Sequence, residues 1–581
     1  MWLVLLILVG FGLEAGQENI SPQLQEQLIK ISDDTRIEVL VIIKQPYPYD
    51  ALDELTVEQK AEVFKSIARD SQKPIMEFLK RFPGEIDSVL QFWIVNGIYL
   101  RASVRVIKEL ARHPSVRLIS HIPEVKPIPI IEESGTTSRT PEWNIQRIMA
   151  DSCWFYGYTG DSIIVGMLDT GIDTTHPALR GGKLIKWRDF WHGIPYPYDD
   201  NGHGTACAGI ICGGDGLGPF TDDIGVAPDV KLCVAMIGGN VSPIVALQWF
   251  ATLKVDSGFD IRAINNAWGS SNQFDLTWWD ICNNLKSLEI LPVFSIGNAG
   301  PGSMTTNTPG NYPTVLGIGA TNVNDTIVLF SSRGPAPDTV PWNDTTYWYR
   351  NDWNLTKPDL CAPGYSIRTA WLNQQYTTIH GTSLSCAHAT GAVAILFEKN
   401  PNLSVTEIYN ILLNNADRPA PGAPYPNNNY GWGRLNVWKA LQATTGIHEQ
   451  SKTKNMIISL NVLPNPYQNH CVIKFQIPIT KSQTNPKSQN PNNFAIRNPK
   501  SEMSFSYVAI RNPKSEISIR IYDVSGRLLK SFNLESCIMN HESGIVWDGC
   551  DDSGCRLPAG VYFVKFEYGG CIKIGKVIKL K

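Results

Sequence analysis

Four short stretches of this sequence carry residue types that could share one reaction. In IIVGMLDTGID, Asp169 closes a continuous apolar run. A carboxylate there is desolvated unless something hydrogen-bonds to it. Alone, it reads equally well as a capping residue or a metal ligand. In NGHGTACAGII, His203 stands between Gly202 and Gly204 at the start of an apolar helix, and the two glycines let partners approach closely. A lone histidine is more often structural than catalytic. VFSIGNAGPG sets Asn298 just past a strand, where its amide could donate into a cleft, although Asn-Ala-Gly is also simply a good turn. In HGTSLSCAHATGAVAILF, Ser383 begins a helix of small residues. The N-terminus of that helix offers unpaired N–H groups and the positive end of a dipole. The plain alternative is an N-cap serine.

Taken together, the four describe an acyl transfer. A serine hydroxyl is a weak nucleophile at neutral pH and needs a base. A histidine can take its proton and return it to the leaving amine, while an aspartate holds the imidazole tautomer. An amide donor can meet the developing oxyanion. The chain order Asp169, His203, Ser383 is the order found in subtilisin. GVAPDVKL (225–232), FSSRGP (330–335), KPDLCAPG (357–364) and GWGRLN (431–436) follow in the sequence. On these words residues 145–445 resemble the subtilisin-like serine proteases, or subtilases. The resemblance implies a secreted serine endopeptidase with Ser383 as nucleophile, His203 as base, Asp169 as its orienter and Asn298 in the oxyanion hole. It implies protein or peptide substrates and no cofactor for catalysis. It allows structural calcium, but no ligand loop can be named and no metal ligands are assigned.

The sequence departs from the family pattern in places. Leu384 and Ser385 stand where Met-Ala is usual after the nucleophile, and Ala387 replaces a proline before His388. His388 reads as a structural helix residue. The cleft-lining stretch is Asn266-Ala267-Trp268-Gly269, without the usual serine, which makes Ala267, Trp268 and Gly269 the substrate-cleft candidates. Trp268 either narrows a side-chain pocket or packs in the core. Asp169-Thr170-Gly171 is also the aspartic-protease tripeptide, but that chemistry needs a second Asp and a β-rich bilobal chain. An inactive subtilase-like scaffold that only binds is disfavoured by the complete set of residue types.

Strands and helices must hold these residues in place. Short apolar runs at 162–168, 231–237, 261–268 and 290–296 alternate with helical stretches. Continuous rather than alternating apolar strands point to a parallel sheet covered on both faces. The expected fold is thus α/β, a subtilisin-like catalytic domain over 141–446. Before it, strand, helix, two strands around Asn96-Gly97, helix and strand follow one another within 36–126, the order of a ferredoxin-like α+β unit. The helix over 57–82 is expected to be interrupted at Pro74. Residues 16–140 read as a propeptide resembling the subtilase inhibitor type, with self-cleavage expected within 127–142.

A polar linker (447–460) leads to 461–581, where six short strands separated by turns indicate an all-β sandwich. WDGCDDSGCRLPAGVYFVKF (547–566) resembles the type IX secretion sorting domain and the Ig-like domain of flagellar hook-capping proteins. That implies secretion machinery as a partner, with a plain stabilising or substrate-binding appendage as the alternative. Within this region AIRNPKSE occurs at both 495–502 and 509–516, inside an Asn/Pro/Ser/Lys-rich insertion over 481–516.

Composition sets the outer bounds. Fifty-one basic against 54 acidic residues leave a net charge of −3, which argues against a nucleic-acid partner. An apolar content of 43% excludes wholesale disorder. The apolar run WLVLLILVGFGL (2–13) is too short to span a bilayer and reads as a signal peptide over 1–15, hence a secreted or cell-surface protein. Twelve cysteines are too dilute for a disulfide scaffold. Seven lie in 153–386 and five in 471–571, so each part keeps one thiol free or a bridge joins the two.

Overall fold

The structure is a computed structural model that describes residues 19–49, 52, 54–123, 125–127, 131–133, 142–214, 223–239, 242–444, 459–463, 470–476, 517–523, 527–534, 543–568 and 571–580. The expected signal segment and the insertion with its repeat lie outside these residues.

The chain first builds strands β1 (Arg36–Ile43), β2 (Ile86–Phe92), β3 (Gly97–Ser103) and β4 (Val116–His121). They pair antiparallel in the order β2-β3-β1-β4. The Val57–Leu79 and Val104–Ala111 helices accompany them. The longer helix starts on a capping box, in which the Thr56 hydroxyl accepts from Gln59 N–H while the Gln59 side chain accepts from Thr56 N–H. It does not stop at Pro74, contrary to expectation. The hydrogen bond lost to the ring is offset by burial on both sides of it, at Phe64, Ala68, Ile75 and Leu79. Two short strands follow, β5 (Lys126–Pro127) and β6 (Ile131–Glu133).

The central unit contains β7 (Ile164–Asp169), β8 (Leu184–Asp189), β9 (Lys231–Met236), β10 (Ile261–Asn266), β11 (Trp268–Gly269), β12 (Leu291–Ser295), β13 (Leu316–Thr321) and β14 (Leu360–Pro363). All but β11 form one sheet in the order β14-β13-β12-β10-β7-β9-β8, parallel throughout. Every residue of β12 and β13 is buried, as both-face coverage requires. The His203–Cys212 and Thr382–Lys399 helices pack on each other and on the sheet. The Ser242–Ser257 and Trp279–Ser287 helices also pack on it and touch each other. Near the site, β15 (Ile367–Ala370) and β16 (Tyr376–His380) form a hairpin.

The C-terminal region is β-rich. Its strands are β17 (Ser459–Leu463), β18 (Cys471–Gln476), β19 (Ile517–Asp523), β20 (Leu528–Leu534), β21 (Ser543–Trp547), β22 (Gly560–Tyr568) and β23 (Cys571–Lys579). They make one sheet in the order β17-β18-β21 and another in the order β20-β19-β22-β23. Trp547 and Tyr562 meet edge to face at 5.3 Å inside their shared core. Ten cysteines among the described residues are free thiols.

Candidate active site

The parallel sheet brings distant residues to its carboxyl edge, where open α/β sheets collect ligands. Asp169 is the last residue of β7, and Asn298 lies three residues beyond β12. His203 opens one helix and Ser383 lies in the first turn of another. Both helices are rich in small residues, so they can pack closely and bring their N-termini together.

His203 Nδ1 lies 2.6 Å from Asp169 Oδ1, and His203 Nε2 lies 3.0 Å from Ser383 Oγ. The Thr170 N–H also donates to Asp169 Oδ1 at 2.8 Å. A carboxylate can only accept here, so Nδ1 carries the proton and Nε2 is left as the base toward the hydroxyl. Asp169, His203 and Ser383 are all buried. Low local polarity strengthens such a relay.

Asn298 is half-buried. Its Oδ1 accepts from the Thr382 hydroxyl at 2.8 Å and the Thr382 N–H at 3.1 Å. The carbonyl edge of the amide is thereby turned to Thr382, leaving the NH2 edge as the donor. Ala267 and Gly269 line the same region. Ser383 Oγ lies 3.5 Å from the Ala267 carbonyl, and the β11 backbone pairs with β5. The Trp268 side chain turns away into the core, meeting Trp278 and Phe294 edge to face at 5.1 and 5.2 Å.

His388 is fully buried one turn below Leu384. It donates from Nδ1 to the Leu384 carbonyl at 2.7 Å and contacts Asn144 through Nε2 at 2.8 Å. Burial lowers its pKa to about 4, so it is a neutral structural residue at pH 7. The Cys207 sulfur lies near the relay, 3.9 Å from His203 Nδ1. Burial holds this thiol well above its ordinary pKa, in the protonated form. Asp169, His203 and Cys207 are close enough together to share an ion. Their nitrogen and sulfur donors do not suit calcium, which takes oxygen ligands.

The N-terminal unit sits against this domain. The N–H groups of Trp93 and Ile94 both donate to Gln248 Oε1, at 2.7 and 3.2 Å. Asn284 Nδ2 donates to the Ile94 carbonyl at 2.7 Å, and Arg117 pairs with Asp280 at 2.6 Å. Beyond it, β5 pairs with β11, next to Ala267 whose carbonyl lies 3.5 Å from Ser383 Oγ, and β6 pairs with β16, which ends three residues before Ser383.

Sequence reasoning missed Asp199. Its carboxylate accepts from Thr170, Asn201, Gly202 and Thr205, tying together the loops of Asp169 and His203. The available signal was a carboxylate four residues ahead of the histidine, in a run of turn formers.

A model of the subtilase family matches residues 160–433, the stretch that contains all four candidate residues. Subtilisin Savinase of Lederbergia lenta is 32% identical over 308 residues, 52% of this chain and 98% of that protein. The chain belongs to the subtilase family. An alkaline protease of Shouchella clausii is 29% identical over 62% of this chain and 82% of its own length. Bacillopeptidase F of Bacillus subtilis is 30% identical over 426 residues, 66% of this chain but only 28% of that larger protein. The enzyme class is therefore that of a subtilisin-like serine endopeptidase. Among the described residues of this subtilase, no helix is long and apolar enough to cross a membrane.

Proposed function

We propose that this subtilase hydrolyses peptide bonds through an acyl-enzyme on Ser383. His203 takes the serine proton, Ser383 Oγ bonds to the scissile carbonyl carbon, and the same proton passes to the leaving amine. A water then repeats the attack and releases the acid. Asp169 holds the imidazole and faces the imidazolium that forms. Asn298 and a backbone N–H at Ser383 face the oxyanion. The observation that carries this reading is the continuous relay of 2.6 and 3.0 Å from Asp169 through His203 to Ser383. Hydrolysis of a denatured protein substrate by the mature enzyme, lost in Ser383→Ala, tests it. Undiminished hydrolysis by that variant rejects it.

Residues 16–140 act as a propeptide whose ferredoxin-like unit (36–126) inhibits the enzyme until the connector is cut within 127–142. Two features support this reading: the sheet order β2-β3-β1-β4 and the pairing of β5 with β11 and of β6 with β16, strands adjacent in sequence to Ala267 and to the Ser383 turn. The enzyme works outside the cell, reached through the apolar segment over 2–13. Residues 461–581 form an Ig-like sandwich that sorts or attaches the protein. The two facing sheets and their Trp547–Tyr562 core support a sandwich. Fusing 461–581 to a reporter tests the sorting role: export across the outer membrane supports it, and retention leaves the module a structural appendage.

A further inference from the structure

We infer that the wall formed by Phe274, Leu276, Trp279, Asp280 and Tyr347, which the N-terminal unit meets in the precursor, becomes a second substrate-binding surface once that unit leaves. It takes an apolar segment carrying a basic residue, upstream of the bond to be cut; this rests on the proposed function above, including the removal of residues 16–140. Strand β5 pairs antiparallel with β11, Pro127 opposite Trp268 and Lys126 opposite Gly269. In an antiparallel pair, the chain entering one strand lies beside the chain leaving the other. What precedes β5 therefore runs beside Ser270 and the residues after it. A cavity of about 840 Å³ lies there, with His121 and Pro123 on one side and Ser270 and Asn272 on the other. A substrate that pairs on β11 as β5 does is led into the same place.

The central unit lines this cavity with Phe274, Leu276, Trp279 and Tyr347. Phe274 and Leu276 stay 50% and 42% exposed even with the N-terminal unit in place. Large apolar side chains clustered at a surface mark an interaction site. Trp279 is held edge to face by Trp342 at 5.3 Å and by Tyr347 at 5.2 Å, so the wall is formed before a ligand arrives. Among the described residues that line the central side stand two carboxylates, Asp275 and Asp280, and no lysine or arginine. The N-terminal unit brings Leu40, Ile42 and Leu118 to the cavity, and its Arg117 pairs with Asp280 at 2.6 Å. Its departure uncovers the apolar wall and leaves the Asp280 carboxylate without that cation. A ligand that takes its place repeats the same chemistry, aliphatic side chains beside one positive charge. Such contacts lie away from the reacting atoms and are made equally before and during the chemical step. They lower KM and raise kcat/KM without raising kcat.

The test uses the mature enzyme and three quenched fluorogenic peptides that share the residues around one bond it cuts in a denatured protein. One peptide is short. The second adds an upstream extension of leucines with one arginine, and the third replaces that arginine by glutamate. In wild type the arginine peptide is expected to exceed the short one about tenfold in kcat/KM, through KM, and glutamate to remove about fivefold of that advantage. Asp280→Arg is expected to reverse the order of the arginine and glutamate peptides, and Phe274→Ser to cut the advantage of the arginine peptide at least about threefold. Equal kcat/KM for the short and arginine peptides in wild type would overturn the inference, as would an advantage that neither substitution alters. Should Asp280→Arg not mature because it repels Arg117, the arginine–glutamate comparison in wild type and Phe274→Ser decide. Failure of wild type to cut any denatured protein instead overturns the proposed function, and the inference falls with it.

Discussion

Thr382 donates twice to one atom of Asn298, its hydroxyl at 2.8 Å and its N–H at 3.1 Å from Oδ1. Thr382 directly precedes Ser383, so the residue before the nucleophile decides which edge of the Asn298 amide is left to donate. A preorganised donor needs no rearrangement as charge develops.

Removing that donor is therefore expected to slow the chemical step without weakening substrate binding. Subtilisin loses about 10²–10³ in turnover when its corresponding donor is removed, and Asn298→Leu is expected to fall in the same range with KM little changed. Thr382→Val leaves only the N–H to hold Oδ1 and is expected to cost about tenfold, the worth of one charge-directing hydrogen bond. Steady-state kinetics on a chromogenic peptide anilide checks both.

Self-processing gives a second expectation. With β5 paired to β11 and β6 paired to β16, the precursor should cut its own connector, and Ser383→Ala should accumulate uncut. N-terminal sequencing of the mature protein is expected to give a start within 127–142. Efficient maturation of purified Ser383→Ala contradicts this.

The contact between the N-terminal unit and the Ser242–Ser257 helix centres on Gln248, whose Oε1 accepts from two N–H groups. Gln248→Ala strands both donors, a cost of about 1–3 kcal/mol for each one left without water. Inhibition of the mature enzyme by added propeptide should weaken by at least about tenfold. A competition assay measures it.

A buried and a half-buried group on the nucleophile helix titrate in opposition. Burial lowers His388 from 6.5 to about 4. The unfolded chain then binds the extra proton between those values, so the stability His388 contributes is present above 6.5 and lost as pH falls toward 4. Burial raises Glu398 from 4.5 to about 7, although the N–H groups of Thr159 and Gly160 donate to it. Its contribution is present below 4.5 and lost as pH rises through 7. The windows overlap and each is worth up to about 3 kcal/mol, so the two largely cancel in wild type. Relative to wild type, Glu398→Gln should gain stability as pH rises from 4.5 to 6.5, and His388→Gln should lose it. Urea unfolding at pH 4.5, 5.5 and 6.5 resolves the two slopes.

Much of the central unit was legible because its signals are local. A run such as ILPVF is apolar at every position, as a strand covered on both faces requires, and β12 is buried throughout. Asp169, His203, Asn298 and Ser383 stood out as candidates because each sits at an element boundary marked by glycine. Pro74 misled, because the burial that carries the helix through it comes from distant partners. The side chain of Trp268 was ambiguous for the same reason: Trp278 and Phe294 capture it, and neither is visible from its neighbours in sequence. Asp199 was missed because its worth lies in joining two loops, one of which begins some 30 residues away at Thr170.

The most direct test of the account is covalent labelling of the mature protein with a fluorophosphonate, read by peptide mass spectrometry. The account expects stoichiometric modification at Ser383 alone, abolished in Ser383→Ala and strongly slowed in His203→Ala. No labelling of the matured protein, or labelling at another serine, would contradict it.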